Sequence, residues 1–247
     1  MTDLPALARR LEGAQARLNE RLNAAAGGKS LPVGGGFAHF RGPAHPLNQA
    51  LGLVDPLDEN ALMQVEAFLG EPTVLELSPG ADAALWPLLA KRGYRVHQFQ
   101  QLWVRAVEAV TLPGDVREVP VAEAHQYNRL VSAGFMGVDD WRAFDPPFSM
   151  SLEPSGVFGF VVSVNGELAG GGMLGVVEGV AVLAGDSVLP RFRGRRLQQA
   201  LVYARLRKAH ELGCDLACAG TAPSTASQRT YEACGFRAAY PKLELAR

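Results

Sequence analysis

The chain has 247 residues, of which 48% are hydrophobic, and its formal net charge at pH 7 is −1. This length allows one large domain or two smaller ones, each with its own core. The near-zero charge excludes a general polyanion-binding protein, and the scattered 27 glycines and 16 prolines exclude a low-complexity chain.

The cysteines, histidines and apolar runs indicate the compartment and exclude some site types. The chain has three cysteines, Cys214, Cys218 and Cys234. This odd number predicts reduced thiols in a cytoplasmic protein rather than a disulfide framework. The histidines do not cluster with Cys or Asp at ligand spacing, so no metal site is predicted. Residues 4–22 lack the apolar core of a signal peptide, and the longest apolar run, Val157–Val164, is too short to cross a membrane.

The first half of the chain predicts alternating helices and short strands. An amphipathic helix over residues 3–25 is predicted from one apolar stripe, formed by Leu4, Leu7, Leu11, Leu18 and Leu22. We expect it to pack onto its own domain, with a short coiled coil as the alternative. The further predicted elements are a helix at 57–69 capped by Asp58, a strand at 74–77, a helix at 82–92 and one strand or two at 94–107. The turn-rich residues 112–115 mark a predicted domain boundary.

The second half predicts a helix at 121–131, another near 139–144, and a hairpin. Asn165-Gly166 lies between two strand-like runs and suits a two-residue type I′ turn. A long strand interrupted at Gly185 is predicted over 176–189. The elements predicted after it are a helix to about residue 212, a strand at 216–219, a helix at 225–233, and closing strands at 236–240 and 243–245.

A basic turn joins the strand that ends near Pro190 to the following helix. It holds four arginines in six residues, namely Arg191, Arg193, Arg195 and Arg196. A helix N-terminus carries partial positive charge and unpaired N–H groups, so arginines there oppose the helix dipole unless an anion binds at the same place. The pattern therefore predicts an anion site, with a solvated basic loop as the alternative.

Two motifs in residues 115–247 carry a resemblance to a known family. The first is a loop that reads Arg-Gly-Arg-Arg-Leu-Gln at 193–198. The second spans residues 222–236 and combines small polar residues, a predicted helix and a Tyr-x-x-x-Gly-Phe sequence formed by Tyr231, Gly235 and Phe236. Together they resemble the GNAT superfamily of N-acetyltransferases, whose pyrophosphate loop runs Arg-Gly-x-Gly-x-Gly, so that Arg196 and Gln198 replace two family glycines.

The resemblance implies an α/β (α+β) fold with a mixed, mostly antiparallel sheet flanked by helices. The order of strand, helix, glycine and strand around Gly93 repeats around Gly235, which suggests two copies of one unit. We therefore predict two tandem GNAT-like domains, with a degenerate copy at 1–113 and an acetyl-CoA-binding domain at 114–247. In the first copy, Phe37, His39, Phe40 and Asn48 are candidate substrate contacts, with ordinary packing as the alternative.

The resemblance also implies where acetyl-CoA binds as co-substrate. Backbone groups around Ser187, Val188 and Leu189 are expected to pair with the pantetheine arm. The N–H groups of the loop are expected to bind the pyrophosphate, with charge added by Arg193 and Arg196; the loop residues are Arg193, Gly194, Arg195, Arg196, Leu197 and Gln198. Ser227 matches a position that often contacts the cofactor.

Tyr231 and Asp186 are the first candidates for proton transfer. Tyr231 is predicted to protonate the leaving thiolate, with a core tyrosine as the alternative. A base must remove the ammonium proton, and Asp186, at the kink of the long strand, is the first candidate. Its alternative is a buried carboxylate satisfied by turn N–H groups, and Glu178 is a weaker candidate base.

The predicted function is transfer of an acetyl group from acetyl-CoA to a primary amine of a small molecule or peptide, in a ternary complex. A catalytically silent acyl-CoA-binding regulatory or scaffold protein is the alternative, because Arg196 replaces a loop glycine. Nucleic-acid binding is disfavoured by the neutral net charge, and no membrane partner is expected. A monomer and a homodimer both remain open, and so do the acceptor amine and the acyl specificity.

Overall fold

The computed structural model describes residues 3–111, 114–146 and 151–247. Leu112 and Pro113, at the predicted domain boundary, lie outside the described residues. The chain divides into two compact units, Met1–Leu102 with Ala239–Arg247 and Trp103–Ala238. None of the described helices combines the length and the apolar character that a membrane span requires.

The first unit contains three helices and a set of short strands among its described residues. In chain order they are α1 (Leu4–Ala25), β1 (Lys29–Val33), β2 (Gly36–Phe40), β3 (Gln49–Leu51), α2 (Glu59–Leu69), β4 (Val74–Leu77), α3 (Leu85–Lys91) and most of β5 (Arg95–Ala106). The last strand, β11 (Arg237–Ala246), adds its C-terminal part, which pairs antiparallel to β4. β2 pairs antiparallel with both β1 and β3, whereas β3 pairs in parallel with β4 at Ala50 and Leu75.

Local signals define the helices of the first unit. The Asp3 side chain accepts a hydrogen bond from the Ala6 N–H at the start of α1, and Asp58 accepts one from the Ala61 N–H at 2.8 Å, which confirms the predicted cap of α2. The apolar faces bury a core that includes Leu62, Val65, Leu75 and Leu89.

The second unit is built on antiparallel strands with one parallel addition. In chain order its elements are β6 (Val116–Val119), α4 (Ala124–Met136), β7 (Val157–Val164), β8 (Glu167–Val177), β9 (Val180–Val188), α5 (Leu197–Glu211), β10 (Leu216–Thr221) and α6 (Ala226–Ala233). β6 to β9 pair antiparallel in sequence order, and β10 pairs in parallel with β9. The chain thus has the mixed, mostly antiparallel sheet flanked by helices that the sequence predicts.

Adjacent glycines of β8 show that α4 and α5 cover opposite faces of this sheet. A Cβ on Gly171 would meet Val131 and Tyr127 of α4, whereas a Cβ on Gly172 would meet Arg205 of α5. Successive residues of a strand face opposite sides, so the two helices lie on different faces. The glycines let both helices approach β8 closely.

Three element predictions need comment. The hairpin is confirmed, with Asn165 and Gly166 at φ 52° and 79° between β7 and β8. The helix predicted near 139–144 is wrong: the segment forms turns, and the Asp139 carboxylate accepts a hydrogen bond from the Arg191 N–H at 3.0 Å. The two closing strands are one strand, β11, which continues through Pro241.

Candidate active site

The site begins where β9 separates from β10. The two strands pair in parallel from Val180 and Leu216 as far as Leu183 and Ala219, and β9 continues beyond this point. Its register with β8 then shifts, so that Gly185 and Asp186 together lie opposite Gly172. Gly185 has φ 68°, the left-handed conformation typical of a glycine bulge. The bulge bends β9 and places Asp186 in the continuation of the strand.

The basic turn supplies a row of unused backbone donors. After β9 a short 3-10 turn, Pro190–Phe192, leads into the loop, and α5 begins at Leu197. The N–H groups of residues 194–199 donate to no acceptor within the described part of the chain. Arg196 caps the helix with φ 59° and ψ 19°, and its side chain makes no capping hydrogen bond. An arginine here therefore adopts a backbone conformation that glycine adopts without strain.

The four arginines of the turn differ in what they contact. Arg191 forms ion pairs with Asp139 and Glu167. The Arg193 guanidinium donates to the carbonyls of Val188, at 3.1 Å, and Gly134, at 2.9 Å, so it braces the loop. Arg195 lies 5.6 Å from the ring centre of Phe192.

Among the described residues, Arg195 and Arg196 have neither an acidic partner nor a side-chain hydrogen bond, whereas Arg191 forms ion pairs and Arg193 donates to carbonyls. Both are exposed. Two unpaired guanidiniums beside a row of free N–H groups fit a phosphate group.

A cavity of about 450 Å³ lies against this loop within the second unit. Its walls are formed by the bulge of β9, the basic turn, and the start of α6. The predicted site residues in the walls are Asp186, Ser187, Val188, Arg193, Gly194, Arg195, Arg196, Leu197, Gln198 and Ser227. The other two, Leu189 and Tyr231, are buried.

The structure brings the two predicted proton-transfer residues into direct contact. The Tyr231 hydroxyl donates a hydrogen bond to Oδ2 of Asp186, although the residues are 45 positions apart. Burial, and then the charge of Asp186, raise the pKa of Tyr231 well above its usual value, so the phenol stays protonated. Glu178, the weaker candidate base, lies in the turn before β9, at the other end of the strand from Asp186.

Two residues of the predicted cofactor site are linked through α5 and α6. The Gln198 amide donates to the Ser227 hydroxyl at 3.1 Å and accepts from the Thr230 hydroxyl at 3.3 Å. Gln198, which replaces a family glycine, therefore joins the end of the basic turn to α6. Thr230 also lines the cavity, and the sequence analysis missed it.

The most important residue that the sequence analysis missed is Arg205 of α5. Its guanidinium pairs with Oδ1 of Asp186, and its side chain has no exposed surface. Its position gave a signal, because it follows Leu201 by four residues and so lies on the buried side of the helix. The walls also include Gly134 and Phe135 of α4, which the sequence analysis did not single out.

The four candidate contacts in the first unit make packing or turn contacts, and Phe37 stacks on His39 with ring centres 5.9 Å apart. The Asn48 side-chain oxygen accepts a hydrogen bond from the Arg41 N–H at 2.8 Å, and its side-chain nitrogen donates to the Gly42 carbonyl at 2.7 Å. These contacts are typical of a turn residue. Phe40 packs edge-on against Phe68, with ring centres 6.1 Å apart. His39 is 3% exposed.

Comparison with known proteins gives the same fold. Residues 124–236 match the family model described as acetyltransferase (GNAT) family. A GCN5-related N-acetyltransferase from Kribbella flavida superposes with a TM-score of 0.68 at 16% identity, over 97% of this chain and 95% of that one. A tandem GNAT protein from the clavulanic acid biosynthesis pathway superposes with a TM-score of 0.55 at 16% identity, over 97% and 96%. No curated protein sequence matches the chain.

Proposed function

We propose that this chain, whose residues 124–236 match the GNAT acetyltransferase family model, transfers an acetyl group from acetyl-CoA to a primary amine. The observation that carries the proposal is the cavity that joins the free donors of residues 194–199 to the Asp186 carboxylate. One end of this cavity suits a pyrophosphate, and the other offers groups for proton transfer. The acceptor is a small molecule or a peptide, and the cytoplasm is the proposed setting.

The cofactor end of the site combines backbone and side-chain donors. The N–H groups of residues 194–199 would bind the pyrophosphate, while Arg195 and Arg196 would add charge. Arg193 would support the loop without contacting the pyrophosphate, because its guanidinium donates to the carbonyls of Val188 and Gly134. Ser187, Val188 and Leu189 would position the pantetheine arm along the separated end of β9.

Direct contact between Tyr231 and Asp186 permits a closed proton path. As the amine nitrogen bonds to the acetyl carbon and the carbon–sulfur bond breaks, Asp186 takes the proton that the amine loses. Tyr231 gives its phenolic proton to the leaving sulfur, and Asp186 then returns a proton to Tyr231 through their hydrogen bond. Protons balance, and both side chains end in their starting states. Tyr231 is 1% exposed, so its hydroxyl must turn from Asp186 toward the cavity during this step.

The first unit is proposed to be the degenerate copy, with no acetyl-CoA site of its own. The basic turn and the Tyr-x-x-x-Gly-Phe sequence both lie in the second unit. In the first unit, the candidate contact Asn48 makes turn hydrogen bonds to Arg41 and Gly42.

The test is a screen of an amine library with acetyl-CoA, following release of the CoA thiol. We expect turnover with a subset of primary amines, and a loss of about 100-fold in kcat for Tyr231→Phe and for Asp186→Asn, in line with the usual effect of a general acid or base. Binding of acetyl-CoA, measured by calorimetry, should be retained in both variants. If acetyl-CoA raises the melting temperature but no amine releases thiol, the chain is an acyl-CoA-binding protein without turnover. Wild-type activity in Tyr231→Phe removes Tyr231 as the acid.

A further inference from the structure

Arg205 is a fully buried arginine whose contacts converge on the bulge of β9. Its Nη2 pairs with Oδ1 of Asp186, and its Nη1 donates to the carbonyls of Met173, at 3.1 Å, and Ala184, at 3.3 Å. Its Nε donates to the Leu201 carbonyl, at 3.0 Å, within α5. One guanidinium therefore ties the helix to both strands and to the carboxylate.

The carbonyls that Arg205 binds lie immediately beside the bulge. Met173 and Ala184 are the last regular pair before the register of β8 and β9 shifts, and Asp186 lies within the shifted segment. A planar guanidinium has donors in a fixed geometry, so binding these three acceptors together fixes their relative positions. A flexible bulge would leave the direction of the Asp186 carboxylate undetermined.

We propose that Arg205 is a positioning residue for the acetyl transfer proposed above, because it holds Asp186 in the orientation that accepts the Tyr231 hydroxyl. The inference rests on that proposed function, and Arg205 acts through Asp186 without touching the reacting atoms. Asp186 offers one oxygen to Arg205 and the other to Tyr231, so the carboxylate is oriented from both sides.

The remaining polar groups near Asp186 do not replace Arg205. Tyr127 of α4 is buried, its hydroxyl has no hydrogen-bond partner among the described residues, and burial raises its pKa. Cys234, just after α6, is a buried thiol whose pKa burial raises to about 11. Arg105 donates to the Cys234 carbonyl. Arg205 is the cation that contacts the Asp186 carboxylate.

The experiment uses ¹³C NMR of the full chain with its tyrosines labelled at Cζ, which reports on the phenolic hydrogen bond. The chain has five tyrosines, and the Tyr231 signal is the one that Tyr231→Phe removes. The Asp186→Asn variant shows where the Tyr231 signal lies when residue 186 has no carboxylate. Arg205→Met and Arg205→Lys are the test variants, since lysine keeps a charge but its single nitrogen cannot bind Asp186 and both carbonyls in the same geometry. Arg207→Met, on the same helix with a 54% exposed side chain, is the control.

We expect both Arg205 variants to move the Tyr231 signal toward its position in Asp186→Asn, while Arg207→Met leaves it unchanged. A wild-type signal in either folded Arg205 variant would overturn the inference. If Arg205→Met does not fold, Arg205→Lys decides; if neither folds while Arg207→Met does, Arg205 is purely structural and the inference is also overturned.

A kinetic measurement adds the functional consequence once the amine screen has supplied an acceptor. We expect kcat of the Arg205 variants, normalised to the fraction of folded enzyme, to fall about tenfold while KM for acetyl-CoA is unchanged; the normalisation removes the loss of active enzyme that lower stability alone would cause. An equal change in kcat and KM would contradict the role. A screen without turnover would refute the proposed function. The NMR experiment would still test whether Arg205 orients Asp186 toward the Tyr231 hydroxyl.

Discussion

Gly172 faces the guanidinium of Arg205 so closely that a Cβ at this position would lie 2.9 Å from Cζ of the arginine. It would also lie 3.1 Å from Oδ1 of Asp186. The backbone of Gly172 is in ordinary extended strand, so its lack of a side chain serves this contact and not an unusual φ. The pair formed by Arg205 and Asp186 thus occupies the space that a side chain at position 172 of β8 would need.

The Gly172→Ala variant should therefore lose stability for a steric reason. The added methyl group must displace a guanidinium that is hydrogen-bonded on several sides, which we expect to cost about 1–3 kcal/mol of unfolding free energy. Urea denaturation measures this loss. Gly80→Ala is the control, because a Cβ there meets its nearest atom at 3.5 Å, an ordinary contact distance. Equal stability of the two variants would contradict the close approach.

Features set by neighbouring residues could be predicted from the sequence. Asn165 and Gly166 define the hairpin by their own conformations, and the order of strand, arginines and helix around Gly194 defines the basic turn. The helix predicted near 139–144 does not form, and the Asp139 carboxylate there accepts a hydrogen bond from the N–H of Arg191, more than fifty residues away. Local propensity carries no information about such a partner.

The chemistry of the site depends on contacts between distant residues. Tyr231 and Asp186 were both candidates, but their hydrogen bond follows from the bulge that Gly185 makes in β9. The spacing from Leu201 places Arg205 on the buried side of α5, but it does not identify its three strand-side acceptors, which come from residues 173, 184 and 186. Only the folded sheet brings these acceptors together.

The left-handed conformation of Arg196 leads to a prediction that separates its backbone from its charge. Arg196→Gly and Arg196→Val both remove the guanidinium, so both should weaken acetyl-CoA binding about fivefold, equivalent to about 1 kcal/mol for an exposed ion pair. Their stabilities should differ. Valine is strained at φ 59° and should lose about 1–2 kcal/mol, whereas glycine should stay within about 0.5 kcal/mol of wild type.

Calorimetry with acetyl-CoA and thermal unfolding distinguish the two effects of Arg196. If the valine and glycine variants were equally stable, Arg196 would not hold the left-handed conformation. If neither variant bound acetyl-CoA more weakly than wild type, its guanidinium would play no part in the pyrophosphate site.

A buried ion cluster in the first unit should dominate the stability of that unit. Lys242 of β11 is 1% exposed, and its Nζ lies 3.0 Å from Glu12 of α1 and 2.8 Å from Glu76 of β4. The Tyr240 hydroxyl donates to Glu12 at 2.8 Å. Burial acts to lower the pKa of Lys242, but the two carboxylates outweigh it and raise the pKa above its usual value. The lysine is therefore charged.

Lys242→Met should consequently cost about 3–5 kcal/mol, because it leaves buried carboxylates without a counterion. Adding Glu12→Gln and Glu76→Gln should recover part of this loss by removing the unpaired charges. Lys91→Met is the surface control: its side chain is 72% exposed in a pair with Glu59, and it should change stability by less than about 1 kcal/mol. Chemical denaturation of the wild type, Lys242→Met, the triple variant and Lys91→Met measures their unfolding free energies and tests this order of stability. Equal effects of the Lys242 and Lys91 changes would refute the importance of the buried cluster.

The last prediction concerns His39, whose burial makes stability depend on pH. The Asn23 amide donates to the Ser30 hydroxyl at 3.0 Å, so this hydroxyl can donate to Nδ1 of His39, 3.0 Å away. Burial, and then the charge of Arg41, lower the pKa of His39 to about 4 from an unfolded value of 6.5. Between these values the unfolded chain binds more protons than the native chain. The contribution of His39 is therefore complete above pH 6.5 and is lost as the pH falls through about 4.

The size of this loss is about 3 kcal/mol, from a pKa difference of about 2.5 units at 1.36 kcal/mol each. We expect His39→Asn to reduce the slope of unfolding free energy against pH between 6.5 and 4, whatever its cost at pH 7. Ser30→Ala should keep the slope, because it removes a hydrogen bond but leaves the ring buried. Denaturant titrations at several pH values measure both variants. A His39→Asn protein with the wild-type slope would show that other groups cause the acid sensitivity, since asparagine has no side-chain proton to gain in this range.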